Sequence, residues 1–375
     1  MNDDLRIGIF KIFFEDKCDD IKKGEKLEEF YNSFDKKELH DILARYVLIR
    51  DDLFLLDEVP MGDEFDKKEI VNYLLNNYMD IYRAVFSIYS DEFIFQWKML
   101  LKKKGYCKVN ILDGLDYSIS FIDKLDKFKL AKINYDSNTD ILEFLVPSEL
   151  LNMVKKLLND KELMTKRERI SQIISSVSMV LNVYGVLSLE KLCEVINNVF
   201  EEVDMEELFS ILRMVTVIDD RVIFVEDDDI NLVAISDFEN ADDIYEFYNS
   251  LEEGDYKLFA KEQYLEIKKG IYHHKFKVYE ELVDYLLENT SLMEEELDLF
   301  DEFIILDYLE SSKSDIEVAN KNLMSKFKES FSQFTLQDRI IIKKKLSDLA
   351  KLYPNFYLKG SAINEDKLEE SYCYE

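Results

Sequence analysis

Glycine and proline are scarce in this chain of 375 residues, at nine and three. That excludes collagen-like and low-complexity sequence, argues against an enzyme built from glycine-rich loops, and favours helices joined by short turns. Histidine is as scarce, at three, and Cys18, Cys107, Cys193 and Cys373 stand far apart with no Cys-x-x-Cys pair. The usual zinc spacings and a disulfide framework are thereby excluded. The G-x-S-x-G elbow, H-E-x-x-H, the Walker loop and G-x-G-x-x-G are missing as well. No catalytic motif, no cofactor and no metal are therefore expected. No apolar run approaches the length of a bilayer span, and Met1-Asn2-Asp3-Asp4 lacks the basic start of a leader. A cytoplasmic protein without a membrane role is the expectation.

What is abundant is acid. Asp and Glu number 79 against 48 Lys and Arg, a formal net charge of −31. Such a field repels phosphate backbones and anionic lipid at long range and favours cationic partners. High charge without aromatics would read as disorder. Here 26 Phe, 22 Tyr and 47% hydrophobic residues describe a folded chain. Its length allows about two to four domains.

Residues 1–78 contain a short echo: Phe34-Asp35-Lys36-Lys37-Glu38-Leu39 returns as Phe65-Asp66-Lys67-Lys68-Glu69-Ile70. In each copy the Asp caps a helix and the Glu three residues on reaches back. Leu39, Ile42 and Leu43 follow at helical spacing in one copy, and Ile70, Tyr73 and Leu74 in the other. Asp51-Asp52 and Pro60-Met61-Gly62 break the segment between them. Two helices flanking an extended link over residues 27–78 resemble the SAP and Rho-N modules, which implies a fold often used on nucleic acid.

Residues 79–165 and 166–236 each predict helices followed by a hairpin, the outline of a winged-helix-like unit. In the first, Ser90 caps a run to Lys104 with Gly105 beyond it, and Asp113 to Leu125 is a second helix. Lys129–Ile133 then pairs with Asp140–Val146 across Asp136-Ser137-Asn138, and Pro147-Ser148 caps the next helix. In the second unit a helix opens near Thr165 and Glu168, Ser188 caps another, and Asp204 with Glu207 boxes a third. Val215 to Val225 reads as a hairpin turning at Asp219-Asp220. Residues 237–360 show helical periodicity alone, with Gly254 and Gly270 as stops. Ser291 and Glu294 start a helix there whose buried stripe is Met293, Leu297, Phe300 and Ile304, and a last helix ends before Pro354. Residues 361–375 read as a mobile tail. The fold class is mainly α (α+β): a multi-domain helical protein with two winged-helix-like units, each ending in a β-hairpin.

This order, with Val183-Tyr184-Gly185-Val186-Leu187 and Tyr353-Pro354-Asn355-Phe356-Tyr357-Leu358-Lys359-Gly360, resembles a family of uncharacterised bacterial cytosolic proteins. Some of its members carry a zinc-binding SEC-C tail; this chain lacks that tail's clustered cysteines. The resemblance implies architecture and little mechanism.

Charge is uneven along the chain. From Glu281 to Glu310 every ionisable charge is acidic, which predicts a negative helical face carrying Glu281, Asp284, Glu288, Glu294, Glu295, Asp298, Asp301 and Glu302. The commonest fate of such a run is a solvated surface; the sharper reading is a docking face for a basic protein partner. From Lys98 to Lys132, lysines outnumber acids. Lys102, Lys103, Lys104, Lys108, Lys129 and Lys132 are candidate phosphate contacts on the first winged-helix-like unit. Lysine at a helix end or strand edge also has structural reasons to be there. His273-His274, beside Lys268, Lys269, Lys275 and Lys277, offers an anion site or, more simply, a solvated junction. Asp227-Asp228-Asp229 lacks the spacing and glycine of an EF-hand loop. The function expected is that of a non-catalytic interaction or regulatory protein. The alternatives are a DNA-binding regulator and a DNA-mimic inhibitor of a nuclease or other DNA-binding enzyme, including one of phage origin.

Overall fold

The repeated hexapeptide starts helices in both copies. In the computed structural model, Asp35 Oδ1 accepts from the Glu38 amide at 2.8 Å, and Glu38 Oε2 accepts from the Asp35 amide at 2.9 Å. Asp66 and Glu69 make the same reciprocal pair at 2.8 and 2.7 Å. Two orphan amides are satisfied at each start. The structure describes residues 11–14, 17, 19–49, 59–60, 64–113, 116–218, 222–227, 230–235, 238, 240–251, 254–329, 331, 333–364 and 368–371. Asp51-Asp52, Met61-Gly62, Asp219-Asp220, Asp228-Asp229, Cys18 and Cys373 lie outside them.

The protein is mainly helical with two small antiparallel sheets of three strands each. Its contacts divide it into two compact units, Met1–Gln172 with Ser210–Asp220, and Ile173–Phe209 with Arg221–Glu375.

The first unit contains α1 (Leu27–Ser33), α2 (Lys36–Ile49), α3 (Lys67–Phe86) and α4 (Asp91–Lys102). Then come β1 (Tyr106–Asn110), α5 (Ile119–Lys127), β2 (Lys132–Asp136), β3 (Ile141–Leu145) and α6 (Ser148–Leu158). Leu39, Ile42, Leu43, Ile70 and Leu74 are buried, as their spacing predicts; each such side chain contributes about 1.5–3 kcal/mol of burial. Three buried tyrosines close this core. Tyr31 and Tyr82 share a hydroxyl hydrogen bond at 3.1 Å, while Tyr46 and Tyr82 both donate to the Phe128 carbonyl at 3.2 Å. Trp97 sits between Phe86 and Phe121, ring centroids 5.7 and 5.4 Å away.

Sequence spacing misplaces several boundaries here. The helix expected from Asp113 begins at Ile119, capped by Ser118, and residues 111–113 make a 3-10 turn instead. Ser118 offers an amide acceptor that Asp113 preceded too early to be. α4 ends at Lys102, since Lys104 and Gly105 both turn to positive φ, +55° and +76°. β2 starts at Lys132, because Lys129 is also at positive φ. Ser148 is the first residue of α6 and not its cap; its hydroxyl bonds Glu149 at 2.9 Å. The hairpin β2–β3 turns at Asp136, whose carboxylate accepts from Asn138 and Thr139 at 3.0 and 2.7 Å. The sheet's central strand is β3, flanked by β2 and by β1, a short strand that no local periodicity marks.

α7 (Lys161–Tyr184) and α9 (Met205–Ile218) each have residues in both units. α7 opens at Asp160, whose Oδ1 accepts from the Leu163 amide at 3.0 Å, so Thr165 and Glu168 are already inside the helix. Between the two come β4 (Val186–Ser188) and α8 (Leu189–Val199), which Ser188 caps as expected. β5 (Val222–Val225) and β6 (Leu232–Ile235) follow α9. The hairpin is β5–β6, not Val215–Val225: the β-branched run to Ile218 stays helical. β4 completes this sheet in the order β4-β6-β5. In both sheets the last strand in sequence lies between the other two.

The rest of the second unit is helical: α10 (Ala241–Asn249), α11 (Lys261–Lys268), α12 (Lys277–Asn289), α13 (Leu297–Phe300), α14 (Asp307–Ser312), α15 (Ile316–Glu329), α16 (Leu336–Ala350) and α17 (Leu368–Ser371). Gly270 follows α11 at φ +69°, but Gly254 is well past the end of α10. The two fragments that carried the bacterial resemblance meet inside this unit. A Cβ on Gly185 would lie 2.9 Å from the Phe356 ring, and one on Gly360 would lie 2.6 Å from Tyr184. Phe356 joins Val186, Leu232, Ala234, Ile244 and Phe247 in one buried cluster. Of the expected mobile tail, Ala362 and Leu368 are buried; the apolar side chains give the chain something to bury there. Residues 365–367 and 372–375 lie outside the described set.

Candidate functional site

The acidic run divides between α12 and the segment after it. On α12, Leu282 and Leu286 are buried while Glu281, Asp284 and Glu288 are exposed, an amphipathic split at positions i, i+3 and i+7. Tyr285 fixes this helix to α16: its hydroxyl donates to Asp338 at 2.8 Å, and Asp338 forms a capping box with Thr335. Glu281 pairs with Lys345 at 3.1 Å. Beyond α12 the expected Ser291–Glu294 start is replaced. Leu292 donates to Thr290 Oγ1, Met293 donates its amide to Glu296, and a 3-10 turn spans Glu294–Glu296. α13 and a π-helical turn, Asp301–Leu306, follow. Phe300 and Ile304 are buried as the stripe predicts, but Met293 is 58% exposed because it precedes the turn and does not join its inner face.

Glu294, Glu295, Asp298 and Glu302 are exposed. With Asp284 and Glu288 they form no ion pair among the described residues. Large apolar side chains stand among them in the open: Leu287, Met293, Leu299 and Phe303, the last two 57% exposed. Leu299 and Phe303 are four residues apart, one helical turn. The sequence showed no base from Glu281 to Glu310, yet the fold brings Lys326 to its margin. Lys326 pairs with Asp307 at 2.8 Å and donates to the Phe303 carbonyl at 2.7 Å.

Asp301 does not belong with the exposed set. Its Oδ1 lies 3.0 Å from His273 Nε2 and its Oδ2 lies 2.9 Å from His274 Nε2. Burial pushes the Asp301 carboxyl up, but the two histidine hydrogen bonds outweigh it and hold the pKa at about 2. His273 is fully buried and His274 stacks on Tyr279, centroids 4.6 Å apart. Burial, with the Asp301 carboxylate in hydrogen-bond reach, pushes the Tyr279 hydroxyl pKa up. Lys275 lies over the Tyr272 ring at 3.6 Å and pairs with Glu266; burial pulls its pKa down. Lys268 donates to Ser175 Oγ at 3.0 Å, and among the described residues the two histidine rings meet the Asp301 carboxylate.

The lysines of the first unit meet different fates. Lys132 is buried against Glu25 at 2.7 Å, with side-chain exposures of 5% and 8%. Lys129 pairs with Asp126 at 2.8 Å and Glu38 at 3.3 Å. Lys103 pairs with Asp116 at 2.6 Å and Lys108 with Glu143 at 3.3 Å, both nearer the surface. Lys102 and Lys104 are exposed without an ion pair among the described residues. In the second unit, Asp227 accepts from the Tyr245 hydroxyl at 2.9 Å.

Comparison with protein-family models, curated proteins and solved structures finds no match to this chain. No helix among the described residues is long and apolar enough to cross a membrane.

Sequence reasoning missed two things at this surface. It placed Met293 inside, and it separated His273-His274 from Asp301 because they lie 28 and 27 positions away from it along the chain. The one available signal was that two of only three histidines are adjacent.

Proposed function

We propose that this chain is a non-catalytic cytoplasmic interaction protein that docks a basic protein partner through the acidic, apolar-studded surface of residues 281–303. The observation that carries the reading is the coincidence of exposed, unpaired carboxylates with exposed Leu287, Met293, Leu299 and Phe303. A solvated face needs the charge and gains nothing from four large apolar side chains. A docking face uses both: carboxylates steer a cationic partner, and desolvated apolar groups hold it. The fitting partner presents Lys and Arg around an apolar strip, as a basic amphipathic helix does. Where that partner itself binds DNA, the chain acts as a DNA mimic, and duplex competes with it. The likeness to uncharacterised bacterial cytosolic proteins belongs to the same proposal.

The test is fluorescence anisotropy of a labelled basic amphipathic peptide titrated with the full chain. Leu299→Ser with Phe303→Ser weakens binding about tenfold, which is roughly 1.4 kcal/mol, and leaves the salt dependence unchanged. Equal affinity in the double variant overturns the reading.

A nucleic-acid reading has one observation in its favour. Lys102 and Lys104 are exposed, with no ion pair among the described residues, beside a helix–strand–helix–hairpin order, which we read as winged-helix-like. Lys102→Glu with Lys104→Glu then weakens duplex binding and lowers its salt slope by about two. Failure of the wild-type chain to shift duplex DNA at low salt removes this reading.

A further inference from the structure

The chain has three histidines, and two of them converge on one carboxylate. His273 and His274 sit on a 3-10 turn, Tyr272–Lys275, and Asp301 opens the π-helical turn Asp301–Leu306. The three donor atoms lie within 4.8 Å of one another. The Nε2-to-oxygen separations are 3.0 and 2.9 Å. Adjacent ligands sharing one ion at about 2.1 Å stand about 3.0–3.4 Å apart, from octahedral to tetrahedral angles. The three side chains are thus gathered closely enough to converge on one ion after small side-chain adjustments.

We propose that His273 Nε2, His274 Nε2 and the Asp301 carboxylate form a binding site for one divalent transition metal ion. Two imidazoles and a carboxylate suit zinc and its neighbours in the first transition row; magnesium and calcium prefer oxygen throughout. The site goes beyond the docking function and departs from the sequence expectation of no metal. Conventional zinc spacings are local in sequence, whereas this set is assembled by the fold. Its surroundings fit the assignment. The Tyr279 ring stacks on His274 with centroids 4.6 Å apart and meets His273 edge-on at 5.0 Å, so one side chain packs against both imidazoles. Such outer partners orient metal ligands. π-Turns occur often at functional sites. His274 is 41% exposed, which leaves a path for the ion and room for water on its open side.

One feature sets the strength of binding. His273 Nδ1 is buried with no hydrogen-bond partner. Without metal, a neutral His273 carries its proton on Nε2, donates it to Asp301 and leaves Nδ1 as a bare acceptor. Metal on Nε2 displaces that proton to Nδ1, where no acceptor waits. Binding is therefore weaker than in a site with a complete outer shell, and the ion is exchangeable.

The experiment is a Co²⁺ titration of the chelator-treated full chain, read by visible d–d absorption, with Zn²⁺ as competitor and excess Mg²⁺ present to occupy weak carboxylate sites. The expected result is a band saturating at one equivalent and bleached by Zn²⁺. His274→Ala and Asp301→Asn abolish it, and His40→Gln leaves it intact. His274 is partly exposed, so its alanine variant keeps the fold, checked by far-UV circular dichroism. A wild-type chain with no band overturns the proposal. So does a band that survives both ligand variants or disappears with His40→Gln.

Discussion

The lysine-bearing region around the first sheet and the acidic segment of the second unit look like mirror images in sequence: each is a run dominated by one sign. The fold treats them differently. Four of the six lysines singled out in the first region have carboxylate partners, and Lys132 is buried with Glu25. In the acidic segment, six of eight carboxylates have no lysine, arginine or histidine partner among the described residues; Glu281 pairs with Lys345, and Asp301 hydrogen-bonds the two histidines. Composition explains the asymmetry. With 79 acids against 48 bases, a lysine readily finds a carboxylate, while pairwise matching leaves a surplus of carboxylates in water. A run of the minority charge therefore tends to become structure, and a run of the majority charge tends to become surface.

Breaking the buried pair tests the first half of that comparison and carries the largest effect. Lys132→Ala strands Glu25 and costs about 3–5 kcal/mol, while Lys132→Met with Glu25→Leu restores most of it. The measurement is denaturant unfolding followed by Trp97, the chain's single tryptophan and a reporter of the first unit. A loss below about 1 kcal/mol would place Lys132 among ordinary surface lysines.

Aromatic truncation sharpens the second half. Phe356→Ala, from the buried cluster of the second unit, costs about 3–5 kcal/mol. Phe303→Ala, on the acidic segment, stays within about 0.5 kcal/mol. Calorimetry of the two variants separates them, and a large cost for Phe303→Ala would make it a core residue and weaken the docking assignment.

Acid titration asks whether the paired charges stabilise the first unit. Burial raises the Asp126 pKa, but Lys129 and Lys17 outweigh it and hold the carboxyl below its ordinary value. Stability from this group is present above the unfolded carboxylate pKa, about 3.9, and is lost as pH falls through the lower folded value. Asp19 behaves oppositely, since burial raises its pKa, so the readable quantity is a difference between variants. The stability gap between wild type and Asp126→Asn, read through Trp97, is full at pH 6 and closes below pH 4 or so. A gap independent of pH would mean that the Asp126 charge contributes nothing.

The smallest effects are local. Asp66→Ala removes one half of a capping box and costs about 1 kcal/mol. Lys102→Glu with Lys104→Glu changes stability by about 0.5 kcal/mol or less, because neither lysine has an ion-pair partner among the described residues. Thermal unfolding of both variants checks the order; a larger cost for the lysine pair would reveal contacts that make these residues structural.

Much of the fold was legible because local chemistry and global structure agree. The Asp–Glu pairs at 35/38 and 66/69, Ser90, Ser188 and the turn at Asp136 all act where their side chains predicted. The failures share a cause. β1 and β4 are short, lie next to helix ends, and exist through pairing with strands far away in sequence, a non-local preference that periodicity does not register. Val215–Ile218 has strand-like composition and remains helical, since tertiary context overrides propensity. At the candidate site, exposure of the carboxylates on α12 followed from amphipathic spacing. The removal of Asp301 by two histidines did not, because no local pattern links residues so far apart. The fate of the lysines was legible only as a statistical tendency, set by the excess of acid.

The docking claim itself is tested most directly by two charge-matched variants of the full chain. Glu294→Gln, Glu295→Gln and Asp298→Asn neutralise three carboxylates on the proposed face. Glu28→Gln, Glu29→Gln and Glu162→Gln neutralise three exposed carboxylates of the first unit. Both variants reduce net charge equally, so a general field effect weakens a labelled basic peptide equally in each. The account predicts that the face variant loses about tenfold or more in affinity, roughly 1.4 kcal/mol, while the control binds as wild type does. Equal losses in the two, or no loss in the face variant, would contradict it.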